Sequence, residues 1–521
     1  MTGTGTDAHA ALLARAEAQA ARRELPQAIA SYEAALRMRP GDPDVLVQLS
    51  YLHSLSGHYR AGREHARQAA ACDPIPPRVL AELLPRLRTF NAVPELIECT
   101  RRLRPLSRVP IPLLVAVAAQ LSYLNLSNQA IGFLDEARRG DPDYPATLLA
   151  RAQVLIYLGR FDEAGADIAR ALRRAPEIAH AYWLRSQFAA RSPSAASADA
   201  IRAQLARPGR TPADIALLGF ALHAELDALG DHAGAWDALA LGCRAKRSTL
   251  RHAPAESVAL VDALCNWSTE AAPPPGPQAP GSVPVFIVGM HRSGTTLLEQ
   301  LLDGSPQVHA TGELYDFTSA MRNATDHHCR GVIDATIVER ARGLDFAAVG
   351  RDYLAGVAWR LRGEAFFTDK LPSNFLNLGF ICRALPQARI LHMVRDPVET
   401  CFSNLRELFS DANAYSYDQL ELAGHYRQYR RLMAHWQQAW PGRILDVDYA
   451  RLVREPEAVM RQVAAFCGLP FDPAMLAHRA RARGVATASA VQVRGEVSAR
   501  ERPKWEPYRA YLRPLIGALA G

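Results

Sequence analysis

The sequence lacks the segments that direct a chain into or across a membrane. Its first residues, MTGTGTDAHAALLARAEAQ, contain no basic stretch followed by an apolar one, so no signal peptide is expected. No uninterrupted apolar run reaches the roughly 18 residues that a membrane-spanning helix requires. We therefore expect a cytoplasmic protein.

Cysteine pairs with metal-binding or redox spacing are also missing. The eight cysteines, at positions 72, 99, 243, 265, 329, 382, 401 and 467, include no C-x-x-C pair. Neither a zinc site nor a disulfide framework is therefore indicated, and no metal is expected. Most of these thiols are expected to be buried as small hydrophobic side chains in a reducing compartment.

Basic tracts with interleaved aromatic residues are absent too. The net charge is only +7 over 521 residues, so no nucleic-acid partner is expected. Hydrophobic residues make up 49% of the chain, which is enough to build packed cores. A chain of this length is expected to divide into two or more units.

The first half carries a repeat. Pro40, Pro74, Pro142 and Pro176 fall on one 34-residue register, and Arg108 occupies the skipped position. Small residues between the prolines let two short antiparallel helices pack closely, and each proline ends the second helix of its pair. This period resembles the tetratricopeptide repeat, with coincidental spacing in an ordinary helical bundle as the alternative. Five units fit from about residue 9 to 177, the third of them degenerate, and LLGFALHAELDALGDHAGAWDALALG predicts one more.

A proline-rich stretch separates the two halves. The sequence AAPPPGPQAPGSVP, at 271–284, fits neither a regular helix nor a strand and predicts a semi-rigid linker. We therefore predict a repeat domain at 1–266, a linker at 267–282 and a second domain at 283–521. In the second domain, the apolar segments VFIVG, AFFT, ARILHMV and RILDVDY alternate with helical stretches. This alternation predicts a parallel sheet covered by helices, with ligands at the carboxyl ends of the strands.

A glycine-bearing loop follows the first predicted strand. Gly289 and Gly294 have the G-x-x-x-x-G spacing of a phosphate loop, and Thr295 and Thr296 follow where a helix begins. Such a loop directs several backbone N–H groups and a helix N-terminus at one anion. The lysine that grips a nucleoside triphosphate is missing, because Thr295 stands in its place, and Arg292 supplies a cation inside the loop. The loop therefore favours a 5′-phosphate group over a triphosphate.

Charged and hydroxyl residues follow the later strands. Asp369 and Lys370 come after AFFT, and Arg395 and Asp396 come after ARILHMV, with Ser403 eight residues beyond Arg395. A cation at a strand end and a serine in the next helix can share a second anion. Two anion sites on one sheet edge indicate a nucleotide phosphorylated at two positions.

These segments together resemble the sulfotransferases. GMHRSGTTLLEQLL is similar to their 5′-phosphosulfate loop and VRDPVETCFSN to their 3′-phosphate motif. The resemblance covers roughly residues 283–515, and the catalytic half is similar to the tyrosylprotein branch. The implied fold is an N-terminal α-solenoid followed by a P-loop-like parallel-sheet α/β domain. The implied donor is 3′-phosphoadenosine 5′-phosphosulfate (PAPS), without a metal. The residues implied to bind this donor are His291, Arg292, Ser293, Gly294, Thr295, Thr296, Arg395 and Ser403.

Four catalytic residues follow from the same resemblance. Arg292, Lys370 and Ser489 would neutralise charge on the transferring group, and Glu313 would accept the proton of the acceptor hydroxyl. His309 is the alternative base. Two positions depart from the tyrosylprotein pattern: His291 replaces a usual proline, and Arg494 replaces a lysine.

The acceptor and the role of the repeats stay open at this point. A groove formed by the repeats can recruit a protein or peptide carrying the acceptor tyrosine, or the repeats can serve as a scaffold or support a homodimer. A carbohydrate or small-molecule acceptor is the alternative to tyrosine. A P-loop kinase or NTPase is the more distant alternative for the whole second half.

Overall fold

The computed structural model describes residues 3–267, 281–477 and 502–520. The chain forms two compact units that do not follow its linear order. One unit contains Met1–Gly140 and Tyr315–Trp359, and the other contains Asp141–Leu314 and Arg360–Gly521.

Helix pairs repeat through the first unit on the predicted register. Successive first helices begin at residues 43, 77 and 111, which are 34 residues apart. Pro40 and Pro74 follow the ends of the second helices, as expected for residues that cannot continue a helix. The third pair is degenerate in the sense that its second helix has only nine residues. The eight helices of these pairs are α1 Gly3–Ala21, α2 Leu25–Met38, α3 Pro43–Leu55, α4 Tyr59–Ala71, α5 Pro77–Thr89, α6 Val93–Arg101, α7 Ile111–Tyr123 and α8 Ser127–Gly140.

The register continues in the second unit. Its first two odd-numbered helices begin at residues 145 and 179, again 34 residues apart. The additional repeat expected after residue 215 is present as the pair α13 and α14. The α-solenoid of tetratricopeptide type is thereby confirmed. The helices are α9 Pro145–Leu158, α10 Phe161–Arg174, α11 Ala179–Ser186, α12 Ala195–Leu205, α13 Pro212–Leu229, α14 His232–Ser248 and α15 Pro254–Cys265.

A five-stranded parallel sheet forms the centre of the second unit. Its strands are β1 Val283–Gly289, β2 Val308–Ala310, β3 Phe366–Asp369, β4 Arg389–Val394 and β5 Ile444–Asp448, in the order β2-β3-β1-β4-β5. Four of them correspond to the predicted apolar segments, which confirms the parallel α/β sheet. The strand β2 was not predicted, because three residues are too few to show a periodic pattern.

Helices cover this sheet and extend from it. Leu298 and Leu302 pack with strand residues Ile287, Leu391 and Val447 in one apolar core. The helices after the first strand are α16 Thr295–Leu302, α17 Asp316–Thr325, α18 Ala335–Arg340, α19 Phe346–Val357, α20 Leu378–Ala384, α21 Pro397–Leu405, α22 Gln419–Ala439, α23 Tyr449–Arg454, α24 Pro456–Cys467 and α25 Arg513–Ala520.

Three of these helices, α17 to α19, belong to the first unit. The Tyr59 hydroxyl lies 3.0 Å from Ser319 Oγ, and the Asn91 amide donates to Asp316 Oδ1 at 2.7 Å. At the other end of α17, the backbone N–H of Arg60 donates to Asp326 Oδ1 at 2.7 Å. The second and third repeats are therefore bonded to a segment that lies between β2 and β3 in the sequence.

The predicted boundaries at residues 266 and 283 stay a prediction. They divide the chain by the character of its sequence, whereas the two compact units divide it by contacts. In the second unit, the repeat-type helices pack directly on the helices that flank the sheet. Arg247 of α14 forms a two-pronged pair with Glu421 of α22, with both N–O distances at 2.8 Å. Among the described residues, no helix is both long enough and apolar enough to cross a membrane.

Candidate active site

The strand order creates a crevice at the carboxyl end of β1. After β1 the chain forms β2 and β3 on one side of that strand, and it then crosses over to form β4 and β5 on the other side. Ligands of parallel sheets bind at such a reversal point. Gly289 ends β1 with φ 153°, and a Cβ there would lie 2.8 Å from the Met393 carbonyl oxygen. Gly294 has φ 111°, and a Cβ there would lie 2.4 Å from the Tyr449 ring. The two glycines of the motif are therefore required by the fold of the loop.

The loop presents polar groups that have no side-chain partner in the described part of the chain. Ser293 is 1% exposed, and its Oγ has no hydrogen-bond partner among the described residues. Thr295 and Thr296 form the first turn of α16, and no side chain caps that helix. A buried hydroxyl and an uncapped helix N-terminus are arranged as an anion cradle. These residues fit the 5′-phosphosulfate end of the predicted donor.

Glu313 and Lys370 form an ion pair at the same edge of the sheet. Lys370 directly follows β3, and its backbone N–H donates to the Gly312 carbonyl at 3.0 Å. This bond aligns the two segments, so that Lys370 Nζ lies 2.7 Å from Glu313 Oε1. The lysine side chain is 1% exposed, while that of the glutamate is 32% exposed. The carboxylate is thus open to an incoming molecule and the ammonium group is enclosed.

A buried glutamate that the sequence analysis did not identify holds this segment. Glu299 of α16 accepts hydrogen bonds at Oε1 from the Gly312 backbone N–H at 2.9 Å and from the Thr368 hydroxyl at 2.7 Å. Thr368 in turn accepts from the Thr311 backbone N–H at 3.2 Å. Glu299 therefore connects the helix after the phosphate loop to the residue before Glu313 and to β3, the strand that Lys370 follows.

The two residues expected at the 3′-phosphate, Arg395 and Ser403, are both linked to Arg292. The Arg292 Nε–H donates to Ser403 Oγ at 3.3 Å, and Arg395 Nη1 donates to the Arg292 carbonyl at 3.1 Å. The Arg395 guanidinium also lies 4.3 Å above the Tyr449 ring, and its Nε is buried without a hydrogen-bond partner among the described residues. Arg292 was expected at the sulfuryl group, whereas in the structure its guanidinium lies beside Ser403.

Two carboxylates to which the sequence analysis gave no role accompany these arginines. Glu407 Oε2 lies 3.6 Å from Arg292 Nη1, and Glu399 Oε1 accepts from Arg395 Nη2 at 2.6 Å. Burial raises the pKa of Glu407, although Arg292 and then Arg406 oppose the shift. Burial also lowers the pKa of Arg292. Glu407 belongs to no recognisable motif, and Glu399 lies within the segment VRDPVETCFSN but has no predicted role there, so only the three-dimensional structure could identify their contacts.

His291, which replaces the usual proline, is held on three sides. Its Nδ1 lies 3.3 Å from the Tyr415 hydroxyl, its ring meets the Phe409 ring edge to face at 5.6 Å, and its carbonyl accepts from Asn404 at 2.7 Å. Burial, reinforced by the nearby Lys370 and Arg292, lowers the pKa of His291 to about 4. The imidazole is therefore neutral at pH 7.

Other predicted residues lie apart from this cluster or outside the described chain. His309, the alternative base, pairs instead with Glu364 at 3.6 Å. Asp396 accepts from the Glu399 backbone N–H at 2.8 Å and so caps α21. Ser489 and Arg494 lie outside the described residues, so the role predicted for Ser489 stays a prediction.

The comparisons with known proteins agree with this class of site. Residues 284–473 match the model of the sulfotransferase family. The C-terminal half therefore carries a sulfotransferase domain, which supports sulfuryl transfer as its chemistry. This domain follows tetratricopeptide-type repeats in the same chain.

Two relatives illustrate how far the similarity extends. A protein of Aquifex aeolicus is 34% identical over 251 residues, which are 46% of this chain and 32% of that protein. A protein of Caenorhabditis briggsae named as a putative protein-tyrosine sulfotransferase is 26% identical over 196 residues, which are 37% of this chain and 68% of that protein. The chain thus spans only about a third of the length of the first relative.

A solved structure with a similar fold is the sulfotransferase domain of the olefin synthase of Synechococcus PCC 7002. It covers 46% of this chain and 98% of its own length at 18% identity, with a TM-score of 0.28.

Proposed function

We propose that this protein transfers a sulfuryl group from PAPS to an acceptor hydroxyl, and that the acceptor is a tyrosine of a protein or peptide. The observation that carries the proposal is the Glu313–Lys370 ion pair of 2.7 Å at the sheet edge that bears the glycine loop. A carboxylate open to solvent beside an enclosed cation provides a proton acceptor and a charge stabiliser at one point.

The donor is proposed to lie along the carboxyl edge of the sheet. The Ser293 hydroxyl, which has no partner among residues 3–267, 281–477 and 502–520, and the first turn of α16 support binding of the 5′-phosphosulfate. The buried Arg395 Nε, equally without a partner in those ranges, and Ser403, which like Arg395 bonds to Arg292, support binding of the 3′-phosphate. His291 would keep the loop in place through its contact with Tyr415.

The proposed reaction is an in-line displacement at sulfur. The acceptor oxygen forms a bond to sulfur while the bond between sulfur and the 5′-phosphate oxygen breaks. The acceptor proton passes to the Glu313 carboxylate, and 3′-phosphoadenosine 5′-phosphate (PAP) leaves. Lys370 would offset charge on the sulfuryl and leaving oxygens, a role also predicted for Ser489, while Arg292 beside Ser403 would face the 3′-phosphate. Such transfers depend mainly on positioning and electrostatic stabilisation.

Tyrosine is proposed as the acceptor for two reasons. The relative from Caenorhabditis briggsae carries the name of a putative protein-tyrosine sulfotransferase. Helical repeats of the tetratricopeptide type are surfaces suited to binding a protein or peptide. Glycan and small-molecule hydroxyls are the competing acceptors, and a panel of peptide, glycan and phenolic acceptors with labelled PAPS discriminates among the three.

Donor binding is tested by titrating the full chain with PAP. We expect binding by the wild type and its loss in Arg395→Ala and Ser403→Ala. Matched controls are Arg431→Ala, which removes an exposed pair with Asp262, and Ser248→Ala. Equal binding by wild type and both site variants would refute the 3′-phosphate assignment, and magnesium-dependent ATP turnover that survives Arg395→Ala would favour a kinase or NTPase.

Catalysis is tested by single-turnover transfer from labelled PAPS. Glu313→Gln is expected to slow the chemical step by roughly 10²–10⁴-fold, the usual contribution of general-base catalysis. Lys370→Gln is expected to slow it as well without abolishing PAP binding. The control pair is Lys246→Gln and Asp411→Asn, which breaks another lysine–carboxylate contact of 2.7 Å. Unchanged rates in both site variants would exclude this mechanism even if the donor is PAPS.

A further inference from the structure

The cations of the candidate donor site are neutralised within the protein. Lys370 contacts Glu313 at 2.7 Å and Arg395 contacts Glu399 at 2.6 Å. The other two pairs join Arg292 to Glu407 at 3.6 Å and Arg406 to Asp227 at 2.7 Å. Four cations thus meet four carboxylates. PAPS and PAP are polyanions, so their binding requires some of these carboxylates to move, to lose their charge or to oppose the ligand.

Three of the carboxylates have an evident way to accommodate an anion. Glu313 takes up a proton in the proposed reaction. Glu399 lies four residues after Arg395 at the surface of α21 and is 25% exposed, so it can turn towards solvent. Asp227 accepts from the Tyr508 hydroxyl as well as from Arg406, so it keeps a donor of its own if an anion draws Arg406 away.

Glu407 has no such route. Its side chain is only 15% exposed, and Arg292, the cation that it faces, is 5% exposed. The titratable and charged groups around it are Arg292 of the loop, the adjacent Arg406, Tyr157 of α9 and Tyr417. Neither tyrosine supplies a positive charge. A phosphate placed between Arg292 and Ser403 would therefore lie close to an enclosed carboxylate.

We infer that Glu407 is an internal competitor for the donor nucleotide: its carboxylate occupies Arg292 in the free enzyme and limits the affinity for the 3′-phosphate group. The inference rests on the proposed function, because it assigns the Arg292–Ser403 region to that phosphate. A carboxylate in this position would weaken binding of substrate and product alike. It would therefore also speed the release of PAP.

The pH dependence follows from the charge of Glu407. Burial already raises the pKa of this carboxyl in the free protein, and a bound phosphate dianion would raise it further. Ligand binding is therefore coupled to proton uptake at Glu407. As the pH rises and this uptake becomes costly, the wild type should lose affinity relative to a variant with a neutral side chain at position 407.

The test is the dissociation constant of PAP, measured by calorimetry on the full chain between pH 6 and 8 for wild type and Glu407→Gln. At pH 7.5 and above, we expect Glu407→Gln to bind PAP about tenfold tighter than the wild type. Removing one negative charge close to the phosphate should improve the binding free energy by at least ~1.4 kcal/mol. The affinity ratio should shrink as the pH falls. Because both proteins bind the same ligand, the titration of PAP itself cancels in that ratio.

Controls separate this inference from the proposed function. Glu421→Gln also removes one carboxylate from a partly buried arginine pair and should leave PAP affinity unchanged. If Glu407→Gln does not fold, two other measurements test the same point. One is the PAP affinity of Glu407→Asp. The other is the number of protons that the wild type takes up on binding PAP, which should be positive at pH 8. Equal or weaker binding by Glu407→Gln, or no proton uptake, overturns the inference while the proposed function stands. A wild type that does not bind PAP overturns both.

Discussion

At the scale of single residues, the candidate site depends on positions that accept only one type of residue. Gly294 shows this most clearly, since a Cβ there would meet the Tyr449 ring at 2.4 Å and φ is 111°. The same ring lies beneath the Arg395 guanidinium at 4.3 Å. A substitution at Gly294 would therefore disturb the 5′-phosphate loop and the arginine after β4 together.

Gly294→Ala should abolish donor binding as well as destabilise the fold. The displaced Tyr449 ring would shift Arg395, the residue proposed to bind the 3′-phosphate, so PAP should lose that contact. The measurements are PAP affinity and the free energy of unfolding. Gly442→Ala is the control, because Gly442 has φ 75° but nothing within 4 Å of its added Cβ. That variant should lose only the roughly 1–2 kcal/mol of a left-handed backbone and bind PAP normally.

The sequence predicted those site residues that directly follow a strand or belong to a spaced motif. Lys370 and Arg395 follow apolar segments, and one of only three lysines in the chain stands at the end of β3. Glu299 and Glu407 could not be predicted, because each is a single carboxylate within a helix or just after one. Their importance comes from burial against partners 13 and 115 residues away in the sequence, Gly312 and Arg292.

At the scale of secondary-structure elements, the repeats were predictable and their contacts were not. The 34-residue register depends on local proline and small-residue spacing, so α3, α5, α7 and α9 begin where the sequence indicates. The bonds between α4, the turn after α5 and α17 join residues 225 or more positions apart. No local pattern encodes such a contact. The segment Asp316–Thr325 is thus held by the repeats, although it lies in the second half of the sequence.

The docking of α17 can be measured with a double-mutant cycle. Asn91 donates to the buried Asp316 carboxylate at 2.7 Å, and hydrogen bonds to charged groups are worth about 1.5–3 kcal/mol. Asn91→Ala and Asp316→Ala should each lower the free energy of unfolding, and the double variant should lose less than the sum. The exposed pair of Arg22 and Glu24 serves as the control, and its coupling should be clearly smaller because solvent screens both charges. Strict additivity at Asn91 and Asp316 would contradict the proposed role of this bond.

At the scale of the whole molecule, the unit that carries the sheet encloses several uncharged histidines. Burial is the main cause in each case. It lowers the pKa of His223 to about 4, that of His291 to about 4 and that of His425 to about 3. His425 stacks on the Tyr415 ring at 3.5 Å, and His223 bonds to the Ala235 carbonyl at 2.9 Å. Acid should therefore act on this unit by charging imidazoles that burial keeps neutral.

The sign of the effect follows from proton binding in the two states. In the unfolded chain these histidines take up a proton near pH 6.5, whereas in the folded unit they stay neutral until about pH 4 or below. The unfolded state therefore binds more protons between these values, so stability is full above pH 6.5 and falls as the pH drops towards 4. The loss is about 1.4 kcal/mol for each histidine and each pH unit in this window, as an upper bound.

His425→Phe isolates one of these protons. Phenylalanine can keep the aromatic packing against Tyr415 and cannot be charged, so the variant should resemble the wild type at pH 7.5 and lose less stability at pH 5. Fluorescence of Trp436 reports the transition of this unit, because that side chain is fully buried and its Nε1–H donates to the Phe375 carbonyl at 3.0 Å. If the pH dependence of the Trp436 transition is the same in both proteins, His425 is charged equally in the folded and unfolded chain. Burial would then not control its proton, and the acid sensitivity would have to come from His223 and His291 or from carboxylate pairs such as Asp227 with Arg406. Burial opposes ionisation of Asp227, but Arg406 and the hydrogen bond from Tyr508 lower its pKa to about 2.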